Sequence, residues 1–372
     1  MASLCEAAVF EGMKEEKVMF NGRTFPGSQA EKSNERLTLS WVLRYVGPVL
    51  LACSTCIPAQ AQCYVYVPTH KSNSVAVIDT SLDRVVAVVP VEVQPLAVAI
   101  TPNGAFAYVT NSGWIFGSDS VSVIDTATNT VVTTIPVGSF PVGVAITPSG
   151  AFAYVANAVS NNVSVISTVT NTVVATIGVG TSPFDVAITP NGAFAYVSNQ
   201  GSNTVSVIST ASNAVVSTVS VGANPVGVAV TPDGAYAYVV NQNSGSVSVI
   251  GTATNAVTAT VAVGGSPFRV AITPNGARAY VTNAATSSTV SSTVAVIDIP
   301  TNAVVASVPV GTQPHGVAIT PDGAFAYVSN FYENSASVID TASNTVVDTV
   351  NGVALFPEAV AITLLPNAQK CR

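Results

Sequence analysis

The phrase VAITPxGAxAYVxN, followed by a VSVI segment and a TNxVVxT segment, recurs along the chain every 42 to 47 residues. Its tyrosine falls at Tyr108, Tyr154, Tyr196, Tyr238, Tyr280 and Tyr327, in steps of 46, 42, 42, 42 and 47. Each unit holds four short Val-rich runs, and a fixed period of this length with four strands per unit is the pattern of propeller blades. In the unit over 141–179, strand a is expected at Val144–Thr147, b at Ala151–Ala156, c at Val163–Ser167 and d at Val173–Val179. TPNG and TPDG carry type I turn chemistry between a and b. Asn129, Asn171, Asn213, Asn255, Asn302 and Asn344 occupy the second hairpin, where Asn tolerates left-handed backbone. Strand a reads as continuously apolar, as burial on both faces requires.

The two ends of the repeat complement each other. The first unit opens with strand b at Cys63–Val67, then c at Val75–Asp79 and d at Val85–Val91, with no strand a before them. The last, Pro357–Thr363, reads as a strand a with nothing after it. An all-β, seven-bladed propeller of four-stranded blades follows, closed where the C-terminal strand joins the N-terminal blade, three strands plus one. An open solenoid would leave raw sheet edges, which invite aggregation, and strands of six or seven residues are too short for a membrane barrel.

Residues 62–372 are therefore expected to form a single propeller, and 1–61 a leader of different character. Arg44, the apolar stretch over 45–57 and Pro58-Ala59-Gln60-Ala61 have the layout of a secretory signal cleaved near Ala61. The 44 residues before it are long for such a signal, so translation starting at Met13 or Met19 stays open. So do an uncleaved anchor over 41–57 and a lipoprotein acylated at Cys53, after Leu50-Leu51-Ala52. An extracytoplasmic monomer with no membrane span in the mature chain is the expectation. The chain is 48% hydrophobic and 8% charged. From Gln62 on it has six Lys and Arg against thirteen Asp and Glu, a balance of −7, with no basic patch for nucleic acid. Cys63 and Cys371 are the two cysteines left after cleavage, and closure of the ring would bring them together as a disulfide.

The motif YVTN stands at Tyr108–Asn111 and Tyr280–Asn283, and YVAN, YVSN and YVVN fill the matching positions of four other units. Over residues 63–363 the chain resembles the YVTN-repeat β-propeller family, which includes surface-layer and other exported propellers. It is similar, more distantly, to seven-bladed lactonases and YncE-type periplasmic propellers. Tyr66-Val67-Pro68-Thr69 departs from the motif. The resemblance implies the fold and no single activity.

Topology puts the TPxG and TNxV turns on one rim and the b–c and d–a loops on the other, where the copies differ and binding is expected. Each d–a loop ends in Pro followed by two residues near the central channel. Among these, Asp185, Arg269, His315 and Glu358 are ionisable, and Phe184 and Phe268 are aromatic. Arg269, His315 and Glu358 come from consecutive blades and are expected to form one polar patch. His70, Lys71, Phe331, Tyr332 and Glu333 lie in b–c loops above it, with Trp114 and Phe116 opposite. Such a mouth suits an unidentified protein, glycan or small molecule. The bland alternative is a solvated channel entrance whose exposed pairs contribute ~0–1 kcal/mol. The Asn of each YVxN is expected to cap a turn, as are Asp79, Asp125, Asp298 and Asp340.

With two His in the whole chain, no multi-histidine metal site is expected, and phosphate-loop, EF-hand and GxSxG signatures are absent. No metal and no cofactor are expected. The main reading is an exported binding or cell-surface scaffold with no catalytic residue. The alternative is a lactonase-like hydrolase or lyase at the channel mouth, with or without a metal, using His315 as base beside Glu358.

Overall fold

The chain divides into two units, Met1–Pro58 and Ala59–Arg372. The computed structural model describes residues 63–113, 118–284 and 292–363, all in the second unit. The leader, Trp114, Phe116 and Cys371 lie outside the described residues.

Seven four-stranded antiparallel sheets form the blades. In blade 3, strands a to d run Pro141–Ile146, Phe152–Asn157, Asn162–Ser167 and Thr172–Gly178. Each begins within three residues of the sequence-based expectation. Strands b and c are almost wholly buried, because their sheets pack face to face on the neighbouring blades. One apolar cluster, for instance, joins Tyr154, Val163 and Val165 of blade 3 to Val186, Val197 and Ile208 of blade 4. Strand a departs from expectation: its last two residues, such as Ala145 and Ile146, stay half-exposed.

Closure takes the expected form, with a shorter regular strand. Blade 1 has strands at Tyr64–Thr69, Ser74–Asp79 and Arg84–Pro90, and its fourth is Ala361–Ile362. Val65 pairs with Ile362 and Tyr66 with Ala361. Pairing resumes further up, where Thr69 bridges Pro357. There Glu358 N–H donates to Pro68 O, and His70 N–H to Phe356 O, both at 2.9 Å. Only two residues of the expected Pro357–Thr363 strand are regular because the stretch between is bulged, as strand a is in other blades.

A girdle of hydrogen bonds ties each blade to the next. The buried tyrosine of strand b donates to the left-handed residue of the following blade's c–d turn. Tyr66 reaches Asn129, Tyr108 Asn171, Tyr196 Asn255, Tyr238 Asn302 and Tyr280 Asn344, each at 2.7 Å, and Tyr154 reaches Asn213 at 2.9 Å. Blade 7 completes the circle through Tyr327 and Asp83, also at 2.7 Å. These turn residues have φ between 44° and 53–54°, a region where Asn and Asp are the least strained side chains. Asp83 at the closing seam makes the bond charge-assisted, hence stronger than its neutral counterparts.

Asp79, Asp125, Asp298 and Asp340 cap their turns as expected, accepting N–H bonds from Ser81, Ala127, Thr301 and Ser343. The Asn of YVxN does something else. Asn157 is fully buried and donates to Asn162 Oδ1 and Ser164 Oγ on strand c. Asn111, Asn199, Asn241 and Asn330 likewise donate to strand c hydroxyls. These amides tie b to c, and at Asn283 b to the incoming loop through Val263 O. They are not turn caps.

Burial pushes the girdle phenols up, to about 12 at Tyr108, Tyr196, Tyr238 and Tyr280. Their unfolded counterparts ionise near 10. A raised pKa adds stability below the unfolded value that is lost as pH rises toward the folded one. Unfolding free energy should therefore be flat from pH 8 to about 10 and fall steeply between about 10 and 12. Denaturant titrations at a series of pH values check this; a free energy still flat between pH 10 and 12 would contradict it.

Candidate functional site

A bulge repeated in strand a builds the channel mouth. In blade 7, Pro314 pairs with Asn330 and Val317 with Val328, so His315 and Gly316 together oppose Ser329. Phe268 and Arg269 likewise oppose Thr282 in blade 6, and Phe184 is the extra residue beside Asp185 in blade 4. A bulge of this kind re-aims side chains, and here it delivers every strand a residue expected at the site.

The opposing residue is the third letter of YVxN. Where it is Ser or Thr, its hydroxyl accepts the bulge N–H and donates to a carbonyl of the next blade. Thr282 accepts from Arg269 N at 2.9 Å and donates to His315 O at 2.9 Å. Ser329 accepts from Gly316 N at 2.8 Å and donates to Glu358 O at 2.5 Å. Ser198 does the same for Asp185 N and Val226 O. Blades 3 and 5 carry Ala156 and Val240 there, without a hydroxyl. Sequence reasoning missed these positioning residues, although the alternation of Ser or Thr with Ala or Val was visible.

Two side-chain pairs result where one patch was expected. His315 Nδ1 lies 2.8 Å from Glu358 Oε2, their side chains 16% and 13% exposed. Arg269 Nη1 lies 2.5 Å from Asp185 Oδ2, at 13% and 14% exposure. Arg269 thus turns away from His315 and Glu358 and reaches back across blade 5. Gly227 permits this, because a Cβ there would stand 2.9 Å from Arg269 Cα. Gly316 does the equivalent at the other pair, where a Cβ would meet Glu358 O at 2.5 Å. The Asp185–Arg269 pair lines a channel cavity of about 140 Å³, together with Val98, Val144, Val317 and Val360.

An arc of rings runs over the His315 pair. Phe184 meets Phe268 edge-on at 5.6 Å, and Phe268 lies 4.6 Å from His315. Phe331 stacks on the other face of His315 at 4.3 Å and on Phe356 at 4.6 Å. Tyr332, 56% exposed, packs its edge against Phe331 and Phe356. Cations sit at both ends: Arg269 lies 5.2 Å from the Phe184 centroid and Lys71 Nζ 4.4 Å from that of Phe356. Phe356 was not foreseen, because it precedes the Pro-plus-two pattern by one residue. Glu333 is engaged elsewhere, accepting from Thr312 Oγ1. His70 joins Glu358 and His315 electrostatically, and burial lowers its pKa.

Among the described residues no group of three His, Cys, Asp or Glu side chains is arranged to hold a metal ion. The two channel carboxylates are taken, Asp185 by Arg269 and Glu358 by His315. Calcium, which the likeness to propeller lactonases brings into question, does not fit this donor set.

The family model described as lactonase, seven-bladed β-propeller, matches residues 59–176 and 168–256, more than half of the chain. The chain belongs to this lactonase family. Phe268, Arg269, His315 and Glu358 lie beyond the matched stretch. Among solved structures, a chain of the Kuenenia stuttgartiensis hydrazine synthase is 30% identical, covering 74% of this chain and 92% of its own, with a TM-score of 0.68. A functionally unknown protein from Desulfotomaculum acetoxidans is 20% identical, covers 81% and 98%, and has a TM-score of 0.71. A candidate 6-phosphogluconolactonase from Bacteroides fragilis is 17% identical, covers 82% and 99%, and scores 0.70. The last two share the fold. A comparison with curated protein sequences returned no match.

Replacing Ser329 with Ala in this lactonase-family propeller leaves the Gly316 N–H without its partner. The expected cost is about 1–3 kcal/mol of unfolding free energy. The matching loss at Ala156→Gly, where no hydroxyl is involved, should show no dependence on the His315 pair. Chemical denaturation of both variants checks this; an unchanged Ser329→Ala midpoint would remove the hydroxyl from the account.

Proposed function

We propose that this propeller opens cyclic esters at the mouth of its channel, with His315 as general base and Glu358 as the carboxylate that orients it. The observation that carries the reading is the 2.8 Å contact between His315 Nδ1 and Glu358 Oε2. With Nδ1–H donated to the carboxylate, Nε2 keeps the lone pair that takes a proton from water. Glu358 then stabilises the imidazolium that forms. Phe268 and Phe331 cover both faces of His315, which limits water around the base and strengthens its interaction with Glu358. Lactonase-family membership supports this reading over the scaffold expected from sequence.

The chemistry of the channel fits a small ester better than a polyanion. Arg269 is neutralised by Asp185 before any ligand arrives. The aromatic arc offers apolar surface for the ring of a lactone.

A panel of γ- and δ-lactones in a pH-stat assay tests the proposal. His315→Gln and Glu358→Gln should each lower kcat by about 10²–10⁴-fold, the usual contribution of positioned acid–base groups. Wild-type rates no faster than buffer across the panel, together with a thermal shift by a ring compound, would instead favour a binding module.

Export and a Cys63–Cys371 bond belong to the same proposal. Their support is the signal-like stretch over 45–57 and the full burial of Cys63 at the closing blade. The bond would add stability of roughly 5 kcal/mol in the chain-entropy model. An intact mass of the mature protein two hydrogens below the reduced value is expected; the full reduced mass would refute the bond.

A further inference from the structure

The chain contains two histidines, His70 and His315, and the closed ring brings both to Glu358. His315 comes from strand a of blade 7, and Glu358 from the C-terminal strand. His70 follows strand b of blade 1. Thr69 bridges Pro357, so His70 pairs with Phe356 and Pro68 with Glu358. His70 and Glu358 are then diagonal neighbours on one face of the ladder, about 7–8 Å apart along the backbone and within reach of long side chains.

We propose that Glu358 serves both imidazoles and that His70 is the second acid–base residue of the site, protonating the ring oxygen as it leaves. The inference rests on the lactone-opening reading.

Two features of the geometry call for a second group. His315 is clamped between Phe268 and Phe331 at 4.6 and 4.3 Å, with Nδ1 tied to Glu358. Its one remaining nitrogen cannot swing from the attacking water to the departing oxygen without breaking that stack. The other feature is His70 itself, whose Nδ1 is buried with no hydrogen-bond partner among the described residues. The Oδ1 atoms of the six YVxN asparagines and Gln94 Oε1 share that state, so what singles out His70 is its place diagonal to Glu358 on the ladder.

The step balances without a further reactant. Water adds to the carbonyl carbon and gives its proton to His315 Nε2. The carbonyl–oxygen bond of the ring breaks, and the alkoxide takes a proton from protonated His70. The product is a hydroxy acid, and one proton passing from His315 to His70 restores the starting state. Burial lowers the His70 pKa, Lys71 and His315 act in the same direction, and Glu358 opposes them without outweighing them, so the protonated form that the step uses is the minor one and its share grows as pH falls. Arg269 and Asp185 lie near His315 as a closed pair.

Activity thus needs His315 neutral and His70 protonated, so kcat/KM should be bell-shaped in pH. His70→Gln should keep the low-pH limb, lose the high-pH limb and lower the maximum by about 10²-fold or more. An active His70→Gln enzyme with both limbs intact overturns the assignment while leaving lactone opening in place. A second readout needs no substrate. With two histidines the imidazole proton spectrum holds two titrating signals, and His70→Gln, or His70→Asn if that folds better, should shift the titration of His315. An unmoved His315 titration overturns the shared carboxylate. A wild type that opens no lactone overturns the role of His70 and the lactone reading together, even with coupled titrations.

Discussion

The meeting of both histidines with Glu358 at the channel mouth depends on the backbone ladder between the C-terminal strand and the first blade. Glu358 N–H to Pro68 O and His70 N–H to Phe356 O are two ordinary hydrogen bonds. They join residues nearly three hundred positions apart, and they place a carboxylate from one end of the chain beside an imidazole from the other. Lys71 Nζ over the Phe356 ring crosses the same seam, and the Tyr327–Asp83 bond joins the two ends of the ring on the opposite rim. Ring closure and site assembly are thus one event. An open form would separate Glu358 from His70 and expose two sheet edges.

The repeat explains how a nearly uniform ring carries one specialised sector. Tyr–Asn bonds and face-to-face apolar sheets fix the blades, so the bulge in strand a can vary without cost to the frame. Small residues at Gly143, Gly227 and Gly316 alternate with Asp185 and Arg269. The alternation lets a long side chain in one blade reach over its neighbour. The hydroxyl of YVSN or YVTN fixes the backbone at Asp185, Arg269 and His315-Gly316, and blades 3 and 5, without one, present Val142 and Val226. Blade 2 has Thr110 beside Ala97, and blade 1 holds Glu358 opposite Pro68 through the backbone alone. Such support of a site side chain by a neighbour outside the channel mouth is what precise positioning requires.

The period of the tyrosines and the complementary ends made the seven blades and their closure legible, because both follow from counting. Strand limits came within a few residues, since turns such as TPNG are set by local chemistry. The site was harder to read. Asp185, Arg269, His315 and Glu358 all reach the channel mouth, yet their pairing was misjudged. The choice of partner for Arg269 depends on the absence of a Cβ at Gly227, a steric fact that spacing does not show. The Asn of YVxN was misread as a cap because its burial arises from blade packing. Phe356 escaped notice because its ring gains meaning only beside Phe331.

Amide hydrogen exchange at the seam tests the central claim most directly. The His70 and Glu358 amides are expected to exchange as slowly as those of Tyr154 and Tyr196, at a rate set by global unfolding. Fast exchange at both, with the interior blades still protected, would mean that the last strand does not hold the ring closed and that the two histidines do not share a carboxylate.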